Sequence, residues 1–308
     1  MRTTKRKPGL VLAATAVILA GAIFSCKKSD SPSLPKIGPY DNSNQVSSAT
    51  LLAHWTFDGT NNEAVSSTAP TTANGASFTT GVKGQALSLS NGYLVYPTIA
   101  KLSTANAIAS VTVAMWINVD NTGGAASSFF ALTQPLAVQT DWNQGPINMY
   151  AENGRPKAYD DTLVLHAAFH SYSGGNYNLG GDNINDYGVR GTDFQTVLGT
   201  KKWVHYVLRY DASGSNIDIF ANGVRVSNNN FRTRTTGAPP VGIGPININI
   251  PTQVLIGAWP NADAGYTLSP VQTFQGKLTG SIDEIRVFGS ALQDTDIGYL
   301  YQLELAGR

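Results

Sequence analysis

Apolar and polar residues alternate with a period of two along residues 203–226, WVHYVLRYDASGSNIDIFANGVRV. Trp203, His205, Val207 and Arg209 share one face, and Val204, Tyr206, Leu208 and Tyr210 the other, as in a β-strand. Residues 211–216 carry turn chemistry, and 217–221 are strand-like again. Asn222-Gly223 suits a type I′ hairpin turn, because both central residues need φ > 0. The same reading predicts strands at 51–57, 76–79, 85–89, 93–96, 110–119, 127–132, 163–170, 253–258, 274–278 and 281–288, with a turn at Asn91-Gly92. Residues 134–160 show no clean period, 171–193 read as a Gly/Asn/Asp-rich loop, and 259–270 read as a loop. Only 291–302 suggests a helix, with Ile297, Leu300 and Tyr301 on one side. Many short strands between turns argue for a sandwich or jelly roll. The stretch 110–119 is apolar on both faces, which makes it a central strand of a two-layer sandwich.

The N-terminus breaks this pattern. Arg2, Lys5, Arg6 and Lys7 precede an apolar run from Leu10 to Phe24, too short for a comfortable membrane span. The run ends in Ile23-Phe24-Ser25-Cys26, similar to a bacterial lipobox. Residues 1–25 are expected to be a lipoprotein signal peptide and Cys26 its lipidation site. Lipid on Cys26 would hold the protein at the cell envelope, at the outer membrane or cell surface. Cys26 is the only cysteine of the 308 residues, so no intramolecular disulfide is possible. Residues 26–48, rich in Ser, Pro, Asn and Lys, read as a flexible tether, which leaves 49–308 as the folded domain. Beyond residue 25 the chain holds 17 basic and 20 acidic side chains, a net charge of −3. Such a surface gives no electrostatic reason to bind nucleic acid. A monomer is expected.

Several motifs follow one another in a telling order. Trp203-Val-His205-Tyr-Val, Tyr210-Asp211 and Asn222-Gly223 form a central set. Gly276-x-Leu278-x-Gly280-x-Ile282-Asp283-Glu284-Ile-Arg286-Val-Phe288 leads into Ala291-Leu292 and a helix reaching Leu300-Tyr301. Upstream stand Trp55-x-Phe57-Asp58, Gly84-x-Ala86-Leu87-Ser-Leu89 and Val111-Thr-Val-Ala-Met-Trp116. Over roughly residues 50–302 the chain resembles a laminin G-like domain of the concanavalin A-like lectin–glucanase superfamily, on a lipoprotein of Bacteroidetes type. The resemblance implies an all-β, concanavalin A-like jelly-roll sandwich of two curved antiparallel sheets with a short C-terminal helix. It does not choose a function, since this fold hosts lectins, glycosidases and adhesion modules.

The glucanases of that superfamily use a Glu-x-Asp-x-x-Glu strand, which sets paired carboxylates on one face. The nearest echo here, Asn216-Ile-Asp218-Ile-Phe-Ala221, holds one carboxylate. Asp160-Asp161 and Asp283-Glu284 are adjacent and would face opposite ways on a strand. His166 and His170 would share a strand face about 13 Å apart, too far for one metal, and read as ordinary strand residues. His54 and His205 read as packed, hydrogen-bonded core histidines. No nucleophile elbow, phosphate loop or dinucleotide fingerprint occurs.

The resemblance also implies a possible Ca2+ at the rim, held by Asp58 of the opening motif and Asp283 of the closing one. Asp182-Asn-Ile-Asn-Asp186 is a second oxygen-rich stretch. The other reading of these residues is turn capping. A glycan site needs aromatics to stack on sugar faces and polar side chains for hydroxyls. The best loop candidates are Trp142, Trp259, Tyr177 and Tyr266, while Trp55, Trp116 and Trp203 lie in strands and read as core. The expected function is a non-catalytic carbohydrate-binding or adhesion module with a glycan ligand. A glycoside hydrolase and a structural protein-interaction module remain open.

Overall fold

The stretch with two apolar faces, Val111–Val119, is buried along almost all of its length. One face enters the main core and the other lies under a helix. The structure is a computed structural model describing residues 34–121, 124–152, 161–185 and 195–308. Cys26, the signal segment, Asp160, Asp186 and the second half of the 171–193 segment beyond Asn185 lie outside the described residues. The first strands are β1 (Leu51–Trp55), β2 (Thr72–Thr80), β3 (Gln85–Tyr96), β4 (Val111–Val119), β5 (Ala126–Thr133) and β6 (Ile147–Glu152). Then come β7 (Val164–Ser173), β8 (Asn176–Ile184), β9 (Val204–Asp211), β10 (Asn216–Ala221) and β11 (Val224–Arg225). The last are β12 (Thr235–Thr236), β13 (Val241–Gly242), β14 (Gln253–Ile256), β15 (Gln275–Gly276) and β16 (Leu278–Phe288), followed by helix α1 (Asp294–Leu305).

The protein is an all-β antiparallel sandwich of the jelly-roll kind. Its two layers are joined in one hydrogen-bonded path, β11-β10-β9-β4-β16-β3-β14-β5-β6-β7-β8. β1 pairs with β16, β2 with β3, and β15 runs parallel to β5. The layers meet through aromatic contacts across the core, Phe129–Tyr206 at 6.1 Å and Phe169–Tyr210 at 4.2 Å between ring centroids. The period-2 reading places these side chains correctly: Val204, Tyr206, Leu208 and Tyr210 all face the core. The Asn222-Gly223 turn is also as expected, with φ of 50° and 77° and Ala221 paired to Val224.

Three expectations are corrected. Asn91-Gly92 is not a turn between strands but an irregularity inside β3, where pairing to β2 and β16 slips. Gly92 is required there, because a Cβ would come within 2.4 Å of the Asn74 carbonyl. The loop expected from residue 171 begins instead with β8, hydrogen-bonded to β7. Residues 36–48, expected in the tether, belong to the compact unit that starts at Lys36. Val46 packs with Leu292, Ile297, Leu300 and Leu303 against the outer face of β4, β9 and β10. Among the described residues no helix is long and apolar enough to cross a membrane.

A buried ionic cluster lies on β16. Arg286 Nε donates to Glu304 Oε1 at 2.7 Å, and its Nη2 donates to Glu284 Oε2 at 2.6 Å. His54 Nε2 meets the same Glu284 oxygen at 2.8 Å. His205 is packed as expected, but neither of its ring nitrogens has a hydrogen-bond partner. Burial, with the Arg286 charge adding to it, drives the His205 imidazole down to about 3. Burial works against the charge on Glu284, but the His54 hydrogen bond and the Arg286 and Lys83 charges outweigh it and hold that carboxyl low. Burial lifts Asp283 to about 7 despite the amides it accepts from, and it lifts Glu304 as well.

The signs of these shifts set a pH profile. The stabilisation from Glu284 is complete above roughly 4.3 and that from His205 above roughly 6.5; both are lost as pH falls toward the folded values. Asp283 and Glu304 act oppositely, with stabilisation complete below about pH 4 and lost as pH rises to about 7. The two trends offset each other at intermediate pH, and the acid arm stands alone. Urea titrations should show a broad optimum near pH 4–6 and a loss of several kcal/mol by about pH 2.5. Equal stability at pH 6 and 2.5 would contradict these assignments.

Candidate functional site

The outer face of β5–β8, turned away from the core, carries a different chemistry from the inner one. On β6, Ile147, Met149 and Ala151 enter the core, which turns Asn148, Tyr150 and Glu152 outward by strand alternation. On β7, Leu165, Ala167 and Phe169 enter the core, which leaves His166, Ala168 and His170 outward. Asp182 of β8 stands opposite Ala168, and Tyr150 stands opposite His166. Neighbouring strands therefore bring an aromatic, two histidines and two carboxylates onto one surface.

Two segments lean over this face. One carries Trp142 and the other Trp259 and Phe274. Trp259, expected at an exposed loop, is 1% exposed, and its Nε1 donates to the Ala126 carbonyl at 2.8 Å. It is a buried support rather than a contact surface. Trp142 stands on it edge to face at 5.2 Å, and meets Tyr150 at 6.2 Å and Phe274 at 5.8 Å in the same way. Trp142 is only half-buried. It forms a wall between two adjoining cavities. The larger, about 300 Å³, is bounded by Trp142, Tyr150, Phe274, Glu152, Ala126 and Gly124. The smaller, about 170 Å³, is bounded by Trp142, Asn143, Tyr150, Ala168, His170, Gly181 and Asp182.

The polar floor is tightly connected. The Tyr150 ring lies flat on His166, with centroids 4.3 Å apart and planes 13° apart. The Tyr150 hydroxyl donates to Asp182 Oδ2 at 3.2 Å. His166 Nδ1 meets the same oxygen at 2.8 Å, and His166 Nε2 meets Glu152 Oε1 at 3.0 Å. Burial works against a charge on His166, but its hydrogen bonds to Asp182 and Glu152, and their charges, outweigh it and raise the pKa. Burial likewise opposes the charge on Asp182, but the bond and charge of His166 hold it below the ordinary carboxylate value. Burial lowers His170 and raises Tyr150. The floor is thus an imidazole held between two carboxylates that favour its charged form, with a neutral phenol stacked on it.

The remaining expected residues lie elsewhere. Tyr266 is fully buried beside Leu255 and Ala131, hydrogen-bonded to Thr133 at 2.9 Å. Tyr177 is in β8, where its hydroxyl accepts from the Asn249 amide at 2.8 Å. Neither borders the two cavities. Asp58 and Asp283 do come together, as the resemblance implies, but on one turn between β2 and β3. Asp58 Oδ1 accepts from the Gln85 amide at 2.7 Å; Asp283 Oδ2 accepts from the amides of Val82 and Lys83 at 2.8 and 3.1 Å. These amides supply the partners a cation would supply, and the raised Asp283 pKa favours a proton there. The pair caps a turn and does not fit Ca2+. Among the described residues no cluster of three or more His, Cys, Asp or Glu could hold a metal ion.

His166, His170, Tyr150, Glu152 and Asp182 were not singled out as a binding set by the sequence. His166 gains its meaning from Glu152 and Asp182, which reach it from adjacent strands.

No protein-family model matches the chain, and no curated protein matches it. In fold it is similar to the binding domain of botulinum neurotoxin DC solved in complex with SialylT, at 12% identity and a TM-score of 0.51, over 84% of this chain and 52% of that one. It is similar to the binding domain of botulinum neurotoxin serotype G, at 10% identity and a TM-score of 0.51, over 82% and 51%. Domain 4 of AbnA, a GH43 extracellular arabinanase from Geobacillus stearothermophilus solved with arabinotriose, aligns at 18% identity and a TM-score of 0.48, over 82% and 98%. The chain spans about half the length of the two toxin domains. At these identities the likeness is one of fold.

Proposed function

We propose that this chain is a non-catalytic carbohydrate-binding module of the bacterial cell envelope, held by lipid on Cys26, whose glycan ligand lies in the trench on either side of Trp142. The observation that carries this reading is the half-exposed Trp142 above a floor of oriented carboxylates. A flat apolar ring with acceptors beside it matches a sugar, which has an apolar face and a rim of hydroxyls. The sandwich is also a fold on which a toxin binding domain has been solved with SialylT. The envelope location rests on the signal and lipobox pattern, and a monomer is expected to suffice because one chain supplies the whole trench.

A glycosidase is the second reading, and one observation speaks to it. Glu152 and Asp182 grip opposite nitrogens of one imidazole, so their separation falls in the range of roughly 5 to 9.5 Å used by glycosidase pairs. The His166 ring, however, fills the space between them, where a water or an anomeric carbon would sit. A glycosidase acid also needs a raised pKa, whereas Asp182 is held low. The arrangement suits binding better than hydrolysis.

A glycan-array screen of the protein, with calcium and with a chelator, tests the proposal. Binding to one glycan class, unaffected by chelation, is expected. Trp142→Ala should weaken it by about 2 kcal/mol, roughly thirtyfold, as for a buried aromatic anchor. Silence of the folded protein across a broad array would sink the reading and favour a protein partner. Release of reducing sugar from a bound glycan would favour the hydrolase.

A further inference from the structure

The two oxygens of Asp182 have different surroundings. Oδ2 accepts from His166 Nδ1 at 2.8 Å and from the Tyr150 hydroxyl at 3.2 Å. Among the described residues both bonds that Asp182 receives end on this one oxygen. Its side chain is 45% exposed and borders the smaller cavity. Ala168 stands opposite it on β7, with a side chain too short to fill the space above the sheet. Burial opposes the charge on Asp182, but the His166 bond and charge, the Tyr150 bond and the Arg234 charge outweigh it. Asp182 is therefore a carboxylate at neutral pH, and a carboxylate only accepts hydrogen bonds.

His166 acts on this carboxylate from below. It is 8% exposed and borders neither cavity. It lies two residues before Ala168 on β7, so it meets Asp182 along the diagonal of the β7–β8 ladder. The Asp182 oxygen cannot donate, which makes Nδ1 the donor of that bond. Tyr150 reaches the same oxygen from β6, with its ring flat on the His166 imidazole. The last torsion of an aspartate is broad. Two donors ending on one oxygen, from two different strands, remove that freedom and fix where Oδ1 sits.

We propose that Asp182 Oδ1 is the specificity-determining contact of the smaller cavity, accepting from one sugar hydroxyl, and that His166 is the positioning residue that aims it. The proposal rests on the glycan reading above and names the contact that makes it selective. Hydrogen bonds from hydroxyls to a carboxylate are among the strong ones, and an acceptor fixed in advance does not lose that freedom on binding. A glycan methylated or acylated at that hydroxyl has no donor to offer and is excluded.

Titration calorimetry on the full chain tests it. The probes are gluco-, xylo-, manno-, galacto- and arabino-oligosaccharides, oligogalacturonides and sialyllactose, and the tightest binder among them is carried through a double-mutant cycle. Asp182→Ala should weaken it by about tenfold or more, as for a lost bond to a charged group. His166→Phe keeps a ring under Tyr150 and removes the donor; it should cost about fivefold in the parent and less than about twofold beside Asp182→Ala. His166→Gln restores a donor and should bind better than His166→Phe. Tyr150→Phe removes the other donor to Oδ2 and takes the place of His166→Phe in the cycle if that variant does not fold. Circular dichroism checks each variant. A general loosening of the sheet would cost the same affinity with and without Asp182, and that additive result overturns the inference. So does an Asp182→Ala variant that binds as the parent does, or a His166→Gln variant no better than His166→Phe, and each leaves carbohydrate binding intact. No binding of any probe by the folded parent removes the glycan reading and this inference with it.

Discussion

Arg286→Met is expected to lower the free energy of unfolding by about 3–5 kcal/mol, the usual cost of stripping one partner from a buried ion pair. Arg286 is 1% exposed and sits between two buried carboxylates, Glu284 on its own strand and Glu304 on α1. Its guanidinium also reaches the N-terminal segment, with Nη1 donating to Asn44 Oδ1 at 3.0 Å and Nη2, which also serves Glu284, donating to Ser43 Oγ at 3.2 Å. One guanidinium therefore ties β16, α1 and residues 43–44 together. Methionine would fill much of the space but leave two buried acids facing each other. Glu304, already raised, would take up a proton first, so the loss should be smaller near pH 5 than near pH 8. Urea denaturation at both pH values measures this. A variant as stable as the parent at pH 8 would show that the cluster is not holding the helix and the N-terminal segment to the sheet.

Asp283→Ala is expected to cost about 3 kcal/mol or more. The carboxylate accepts from the amides of Val82 and Lys83 through Oδ2 and from the Glu284 amide through Oδ1 at 2.9 Å. Each buried donor left unpaired costs roughly 1–3 kcal/mol. The loss should be partly local, because these bonds pin the turn between β2 and β3. Hydrogen exchange at Val82 and Lys83 should accelerate more than in the core strands. Asp283→Asn keeps one acceptor oxygen and should fall between the parent and the alanine variant. Alanine-variant stability within 1 kcal/mol of the parent would contradict the capping role.

The parts of this fold that were legible in the sequence are those where one rule acts alone. β9 alternates cleanly because one face meets the core and the other meets α1, and Asn222-Gly223 specifies its turn by backbone conformation. β8 reads as loop because its sequence, NYNLGGDNI, is weak in strand formers. Gly180 allows its close approach to β7: a Cβ there would lie 2.1 Å from the Phe169 carbonyl. β6 was hidden because its alternation, Ile147, Met149 and Ala151 inward and Asn148, Tyr150 and Glu152 outward, spans only six residues inside an irregular segment. Residues 36–48 look like a tether by composition, yet Ile37, Tyr40 and Val46 pack on the helix cluster, Tyr40 donates to Asp296 and Ser43 accepts from Arg286, which docks them.

The site was legible as a list of aromatics but not as a surface. Trp142 and Trp259 have the same chemistry, and nothing in their neighbours along the chain says that one lies under the other. Strand spacing ruled against a metal shared by His166 and His170. It could not show that Glu152 and Asp182 arrive beside His166 from the two flanking strands, since that depends on register.

The central claim, that the trench across Trp142 is a glycan site, is tested most directly by a crystal structure of the protein soaked with the tightest-binding glycan from the array screen. The account predicts one sugar ring on each side of Trp142, with hydroxyls within hydrogen-bond distance of Glu152 and Asp182. Sugar density elsewhere on the sandwich, with the trench holding only water, would contradict it.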